Sequence, residues 1–350
     1  MKTRLVPAVS FIAAFIAVFV FFVFRPENRT KIGDWPAIGI TAEEKSITSV
    51  DAGSQTRLNL VLNNGDVKIT RGGRDHVQII ENRRIRGPAS RGQLGEYLKS
   101  NKSRVDSTYF DINIDGRQVD GIKPFFGYEN DIELILPASL AAINITIDNG
   151  SIMVSDLDGM SNMELSVKKG RIHVEKCNSI RIKASVAEGR ISAEGIIGNG
   201  TFNCGRGDIR LREVNGTIEI VSVSGDTIIE NCTGKLNCDI SSGSITVRDT
   251  ELKNGSALYA SNGNISVELE KIDVEGKYSI KAASGNISLK MPQETGYSLI
   301  ARSTRGRAYN KMDPAPETLE RAPSGEIYGD VGNGGASIDV YIDRGNIYLR

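Results

Sequence analysis

Gly207-Asp208-Ile209-Arg210-Leu211 is followed eighteen residues on by Gly225-Asp226-Thr227-Ile228-Ile229, and after eighteen more by Gly243-Ser244-Ile245-Thr246-Val247. Working outward, the same pattern recurs at Gly150, Gly170, Gly189, Gly263 and Gly285, so eight glycines lie 18 to 22 residues apart. Two positions after each glycine stand Ile152, Ile172, Ile191, Ile209, Thr227, Ile245, Ile265 and Ile287. Four positions after stand Val154, Val174, Ala193, Leu211, Ile229, Val247, Val267 and Leu289. Isoleucine at one offset in seven of eight copies is an internal repeat. A period near twenty predicts a β-solenoid of about 18–22 residues per coil.

The strand before each glycine agrees. Offset minus five carries Ile145, Leu165, Ala184, Phe202, Ile220, Cys238, Leu258 and Ile280, and offset minus three is mostly aliphatic too. Alternation with period two puts both offsets on one face. A further inward position at offset seven holds Cys177, Ile196, Val214 and Cys232. One coil cannot bury this face alone, whereas stacked coils bury it against each other. Each aliphatic side chain so buried contributes on the order of 1.5–3 kcal/mol. The turn glycines have a local reason, since a tight corner with positive φ resists a side chain. Gly159, Gly198, Gly216 and Gly234, nine after the first glycine, mark another corner.

The repeat also reaches both flanks. Leu58 to Leu62, then Asn63-Asn64-Gly65-Asp66, then Val67 and Ile69 read as strand, turn and strand. At the other end Gly345-Asn346-Ile347-Tyr348-Leu349 restores the signature after a proline-bearing loop at 311–324. Residues 83–105 read as a polar insertion with a helical turn near Gln93 to Leu98. The chain therefore divides into an anchor at 1–25, a stalk at 26–55, an N-terminal β-rich part at 56–140 and regular coils at 141–350. The loop at 311–324 is expected to fold over the last coil, because an open coil is a sheet edge.

Leu5 to Phe24 is a run of twenty residues interrupted only by Pro7 and Ser10. At about 1.5 Å per residue it spans a bilayer's hydrocarbon core of about 30 Å. No small-x-small cleavage site follows, and no cysteine precedes Cys177. The run predicts an uncleaved signal anchor, single-pass, with the C-terminal bulk outside the cytoplasm. Basic residues flank the run on both sides, so charge alone leaves the orientation nearly balanced.

Lys plus Arg equals Asp plus Glu at 43 each, so no global basic field attracts nucleic acid. Cys177, Cys204, Cys232 and Cys238 fit no metal spacing. Cys177 and Cys232 share an offset but lie three coils apart, roughly 14 Å. A disulfide needs Cα atoms within about 7 Å. His173 adjoins inward Ile172 and so faces outward; His76 is the other histidine. No Ser/His/Asp arrangement, HExxH or P-loop occurs. Asp208 and Asp226 stack in successive coils and are the conceivable carboxylate pair for polysaccharide chemistry. The plainer reading is solvated turn residues, and no catalytic residue, cofactor or metal is expected. Lys168, Lys169, Arg171, Arg181, Lys183, Arg190, Arg206, Arg210 and Arg212 make a weak basic patch for anionic glycans or lipid head groups, diluted by neighbouring acids.

Three stretches carry a resemblance: Leu58 to Ile69, Ile132 to Pro137 leading to Ile145 to Ile152, and the Ser-Gly turns at 224–225, 242–243 and 284–285. Together with the closing Gly-Asn-Ile, they resemble the bacterial "putative-adhesin" family of unknown function, also called β-strand repeat-containing, over about residues 56–350. The resemblance implies a β-solenoid, often behind a membrane anchor, in a bacterial envelope. The expectation is a non-enzymatic binding or structural module with an unknown envelope or extracellular ligand, protein or glycan. Alternatives are a polymerising β-helical scaffold at the membrane, a polysaccharide-active enzyme, and an accessory of envelope-stress signalling.

Overall fold

The computed structural model describes residues 39–53, 56–73, 75–117, 127–292, 295–312, 319–322 and 324–350. The expected anchor at 5–24 lies outside them, and no helix among the described residues is long and apolar enough to cross a membrane. Strands dominate the described chain, whose helix is Arg91–Ser100, so the fold is all-β. Contacts divide it into two units.

The described residues of the smaller unit are 39–44, 82–102 and 127–129. Its helix begins in a capping box: the Ser90 hydroxyl accepts the Gln93 N–H at 3.3 Å, and Gln93 Oε1 accepts the Ser90 N–H at 3.1 Å. Leu94 and Leu98 turn inward onto Ile85 and Tyr128. Arg84 bridges Glu43 and Glu129, both at 3.0 Å. The helical turn expected near Gln93 is thus ten residues long.

The larger unit, Lys45–Glu81, Ser103–Arg117 and Asn130–Arg350, is the coil stack. The isoleucines pair in parallel from coil to coil: Ile152 with Ile172, Ile191 with Ile209, Ile245 with Ile265, Ile265 with Ile287. Thr227 sits in register between Ile209 and Ile245. All eight residues at offset two are buried, as are those at minus five, minus three and four, and at offset seven Cys177, Ile196, Val214 and Cys232. A corner that the sequence reading does not contain lies six after each glycine from Gly150 to Gly243. Asp156, Lys176, Gly195, Glu213, Asn231 and Asp249 there all have φ between 48° and 64°. Asn and Asp tolerate this left-handed conformation; Lys176 and Glu213 hold it against their intrinsic preference.

Spatial order departs from sequence order at both ends. The strand Arg57–Asn64 pairs on one side with Ala142–Ser155 and on the other with Asp111–Gly116. The coil of residues 111–136 therefore lies outside the Gly65 coil. At the other end Ile287 pairs with Ile347, and Ile347 with Ala308. The chain's last coil is thus inserted between the Gly285 and Gly306 coils.

An antiparallel strand extends the sheet beyond each terminal coil. Arg104–Ser107 pairs with Asp111–Gly116, and Ile327–Val331 pairs with Tyr297–Arg305. Leu319–Arg321 then pairs with Ile327–Val331. The excursion after Asn310 does cover an end of the stack, but the end it covers is the Gly306 coil rather than the last coil in sequence. The expected stalk also needs correction, because Ile40–Asp51 is a strand of twelve residues with alternating exposure. Its half-buried positions are Ala42, Glu44, Ser46, Thr48 and Val50, mostly small or polar, which hides the strand in the sequence.

Candidate functional site

The turn glycines form a ladder of backbone contacts. A Cβ on Gly207 would lie 1.6 Å from the Gly189 carbonyl oxygen, and the Gly207 φ is +133°. Both facts forbid a side chain there. The same approach joins Gly65, Gly150, Gly170, Gly189, Gly207, Gly225, Gly243, Gly263, Gly285 and Gly345 in order, and Gly306 then meets Gly345. These ten glycines and the isoleucine column are architecture, and no ligand chemistry attaches to them.

Asp208 and Asp226 do stack, but one oxygen of each is taken by a backbone N–H. Asp208 Oδ1 accepts the Asp226 N–H at 3.3 Å, and Asp226 Oδ1 accepts the Ser244 N–H at 2.8 Å. Arg190 pairs with Asp208 at 3.2 Å. The device recurs. Asp66 Oδ1 accepts from the Ser151 N–H at 2.7 Å, and Asn264, Asn286 and Asn346 serve Asn286, Asn346 and Arg307 in turn at 2.9, 3.1 and 3.1 Å. A short side-chain oxygen after the corner satisfies the next coil's N–H, which explains why Asp and Asn recur there.

The basic patch is largely neutralised across coils. Lys183 pairs with Glu164 at 2.7 Å, Arg206 with Glu188 at 2.5 Å, Lys169 with Glu188 at 3.7 Å, and Arg212 with Glu194. Lys168, Arg171, Arg181 and Arg210 have no ion pair among the described residues. His173 is half-exposed as expected and lies 3.6 Å from Glu175. Lys176, and to a lesser degree His173, hold the Glu175 carboxyl below its usual range. His76 is half-buried. The four cysteines are free and buried. Burial raises all four thiol pKa values, Cys177 and Cys232 to about 11. Such thiols are protonated and inert at neutral pH. Among the described residues no group of three His, Cys, Asp or Glu could hold a metal.

The best candidate surface is the outward column four before each glycine. It runs Thr146, Ser166, Ser185, Asn203, Val221, Asp239, Tyr259, Lys281, Tyr341, Arg302, with neighbours in register. Sequence reasoning followed the inward offsets and left this column unread, because its residue types vary. Short side chains leave a shallow groove of about 500 Å³ across its first half, from Thr146 and Ser166 over Ser185, Ala187 and Gly205 to Val221 and Val223. Its floor includes Cys204, whose thiol burial and Asp208 push up. In the second half Tyr259 and Tyr341 are 41% and 37% exposed. Lys281 stands between them and pairs with Asp339 at 3.2 Å. The Tyr341 hydroxyl meets Thr304 Oγ1 at 3.0 Å. This face offers polar and aromatic contacts in a line and no titratable cluster poised for catalysis.

The sequence matches the family described as Toastrack DUF4097 over residues 56–275. No curated protein matches the chain. Two similar solved structures are titled a putative cell adhesion protein from Clostridium sporogenes and a putative adhesin from Bacteroides fragilis. The first is 12% identical, with 88% of this chain and 100% of that one covered and a TM-score of 0.26. The second is 13% identical, with 69% and 97% covered and a TM-score of 0.38.

Proposed function

The chain belongs to the Toastrack DUF4097 family, and from that premise we propose that it is a non-catalytic binding module of a bacterial envelope, adhesin-like, held to the membrane by residues 5–24 with the coils outside. Parallel coils behind one anchor make a β-solenoid whose long faces meet an envelope or extracellular ligand. The observation that carries this reading is the outward column from Thr146 to Arg302, a continuous line of short polar and aromatic side chains on a rigid sheet. Affinity along such a line sums from many small contacts.

Two features weigh against the alternatives. Antiparallel strands occupy both end edges, which opposes end-to-end polymerisation into a scaffold. Asp208 and Asp226 each give an oxygen to a neighbouring coil's N–H, which opposes a carboxylate pair free to work on a sugar.

The test is topology. Protease added to intact cells should digest a tag at Arg350. Protection until lysis would place the coils on the cytoplasmic side and overturn the envelope reading.

A further inference from the structure

Tyr259 and Tyr341 stand two coils apart in one column, with Lys281 between them. Adjacent strands of a sheet lie about 4.8 Å apart, so the rings are centred roughly 9.6 Å from each other along the stack. The outward positions beside Tyr259 are the small Ala257 and Ser261, and Ser279 and Ala283 flank Lys281, while Asp339 and Asp343 flank Tyr341. We infer that this column is a platform for an extended, uncharged, β-1,4-linked glycan lying along the stack axis. The inference deepens the binding reading above and rests on it.

The chemistry favours that occupant. A pyranose ring presents an apolar C–H face to the negative face of an aromatic ring. In a β-1,4-linked chain alternate sugars turn the same face to one side, and two units span about the distance between the tyrosines. Asp239 and the Lys281–Asp339 pair border the rings with donors and acceptors for hydroxyl groups. The charges nearby are matched: Lys281 with Asp339, Arg305 with Asp343 at 2.7 Å, Arg302 with Glu326 at 3.7 Å. A matched surface gives a polyanion no field to follow. A peptide that binds as an added strand would pair with an edge strand such as Leu319–Arg321, not with the side chains of this face. Beyond Asp239 the same column drops into the shallow groove of Asn203, Ser185, Ser166 and Thr146, where a longer glycan continues over short polar side chains.

The test uses the full chain in detergent, titrated calorimetrically with a hexasaccharide of β-1,4-linked N-acetylglucosamine. An α-1,4-linked glucose hexasaccharide, which coils rather than extends, is the shape control. Tyr259→Ala and Tyr341→Ala should each weaken the β-linked hexasaccharide at least tenfold, Tyr259→Phe and Tyr341→Phe should retain it, and the control should not bind. Unchanged thermal melting of the alanine variants assigns the loss to contact rather than folding. No binding by the wild type, or equal binding by the double alanine variant, overturns the platform. Co-sedimentation with isolated cell envelopes separates this from the broader reading. A double alanine variant that still pellets with envelopes removes the platform and leaves envelope binding standing. A wild type that takes the hexasaccharide through its tyrosines but never pellets keeps the platform and removes the envelope ligand.

Discussion

Asp226 Oδ1 accepts the backbone N–H of Ser244, one coil further on, at 2.8 Å. The bond makes Asp226 a splice between coils. Asn supplies the same oxygen and Ala supplies none. Asp226→Asn should therefore leave the denaturation midpoint nearly unchanged, and Asp226→Ala should lower stability by about 1 kcal/mol, the usual net worth of one hydrogen bond. Equal loss in both variants, read by urea unfolding, would show that charge and not the oxygen matters.

The glycine ladder sets a harder limit. A Cβ on Gly225 would approach the Gly207 carbonyl oxygen to 2.0 Å at a φ of +128°, while a Cβ on Gly73 would meet nothing within 4 Å. Gly225→Ala has to push two coils apart as well as adopt a strained backbone. It should cost more than about 3 kcal/mol or abolish soluble expression, and Gly73→Ala should be close to neutral. Near-wild-type melting of Gly225→Ala would contradict the close approach.

What the sequence shows and what it hides follow from the same physics. The inward columns are legible because burial restricts them to Ile, Val, Leu and small residues, as at Ile209, Ile245 and Ile265. The outward column of Ser185, Val221, Tyr259 and Lys281 is not, since solvent tolerates all of them. The left-handed corner escapes notice because Lys176 and Glu213 occupy it beside Asn231 and Asp249. The exchanged coil order escapes for another reason. Any coil presents the same columns to any neighbour, so Ile347 satisfies Ile287 as well as the next repeat in sequence would. The strands Arg104–Ser107 and Ile327–Val331, which pair with the terminal coils, lie in stretches outside the repeat pattern.

One coil breaks the inward rule twice. Ser222 and Thr227 are buried in the Gly225 coil, and neither hydroxyl has a hydrogen-bond partner among the described residues. Thr227 lies in register with Ile209 and Ile245, so a valine there keeps the shape and removes an unsatisfied polar group. Thr227→Val should raise stability by about 1 kcal/mol. A lower melting temperature for this variant would mean that the hydroxyl is satisfied in solution.

The buried thiols tie stability to alkaline pH. Burial moves Cys177 and Cys232 from an ordinary 9.0 to about 11. Their folded pKa is raised, so the contribution is complete below pH 9 and is lost as pH climbs from about 9 to 11, where the unfolded chain gives up protons that the folded chain keeps. The urea midpoint should fall more steeply between pH 9 and 10.5 in the wild type than in a Cys177→Ala, Cys232→Ala variant. All four thiols should resist a disulfide reagent at pH 8 until the chain unfolds. Rapid labelling of the folded protein would show that the coils open there.

The strands Ile327–Val331 and Leu319–Arg321 cover one edge of the stack. Ile327–Val331 pairs antiparallel with Tyr297–Arg305, whose other side is taken by Ala336–Arg344. Replacing residues 319–331 with glycine and serine keeps the chain length and removes this cover. The backbone of Tyr297–Arg305 then presents free N–H and C=O groups, a template for any strand that arrives. The variant should keep its β circular dichroism but move to dimers whose share grows with protein concentration, followed by light scattering in detergent. The opposite end, closed by Arg104–Ser107 on Asp111–Gly116, should stop growth at pairs if the uncovered edges meet each other. A distribution identical to the wild type would mean that the bare edge finds no partner strand, and the cap would then matter for folding alone.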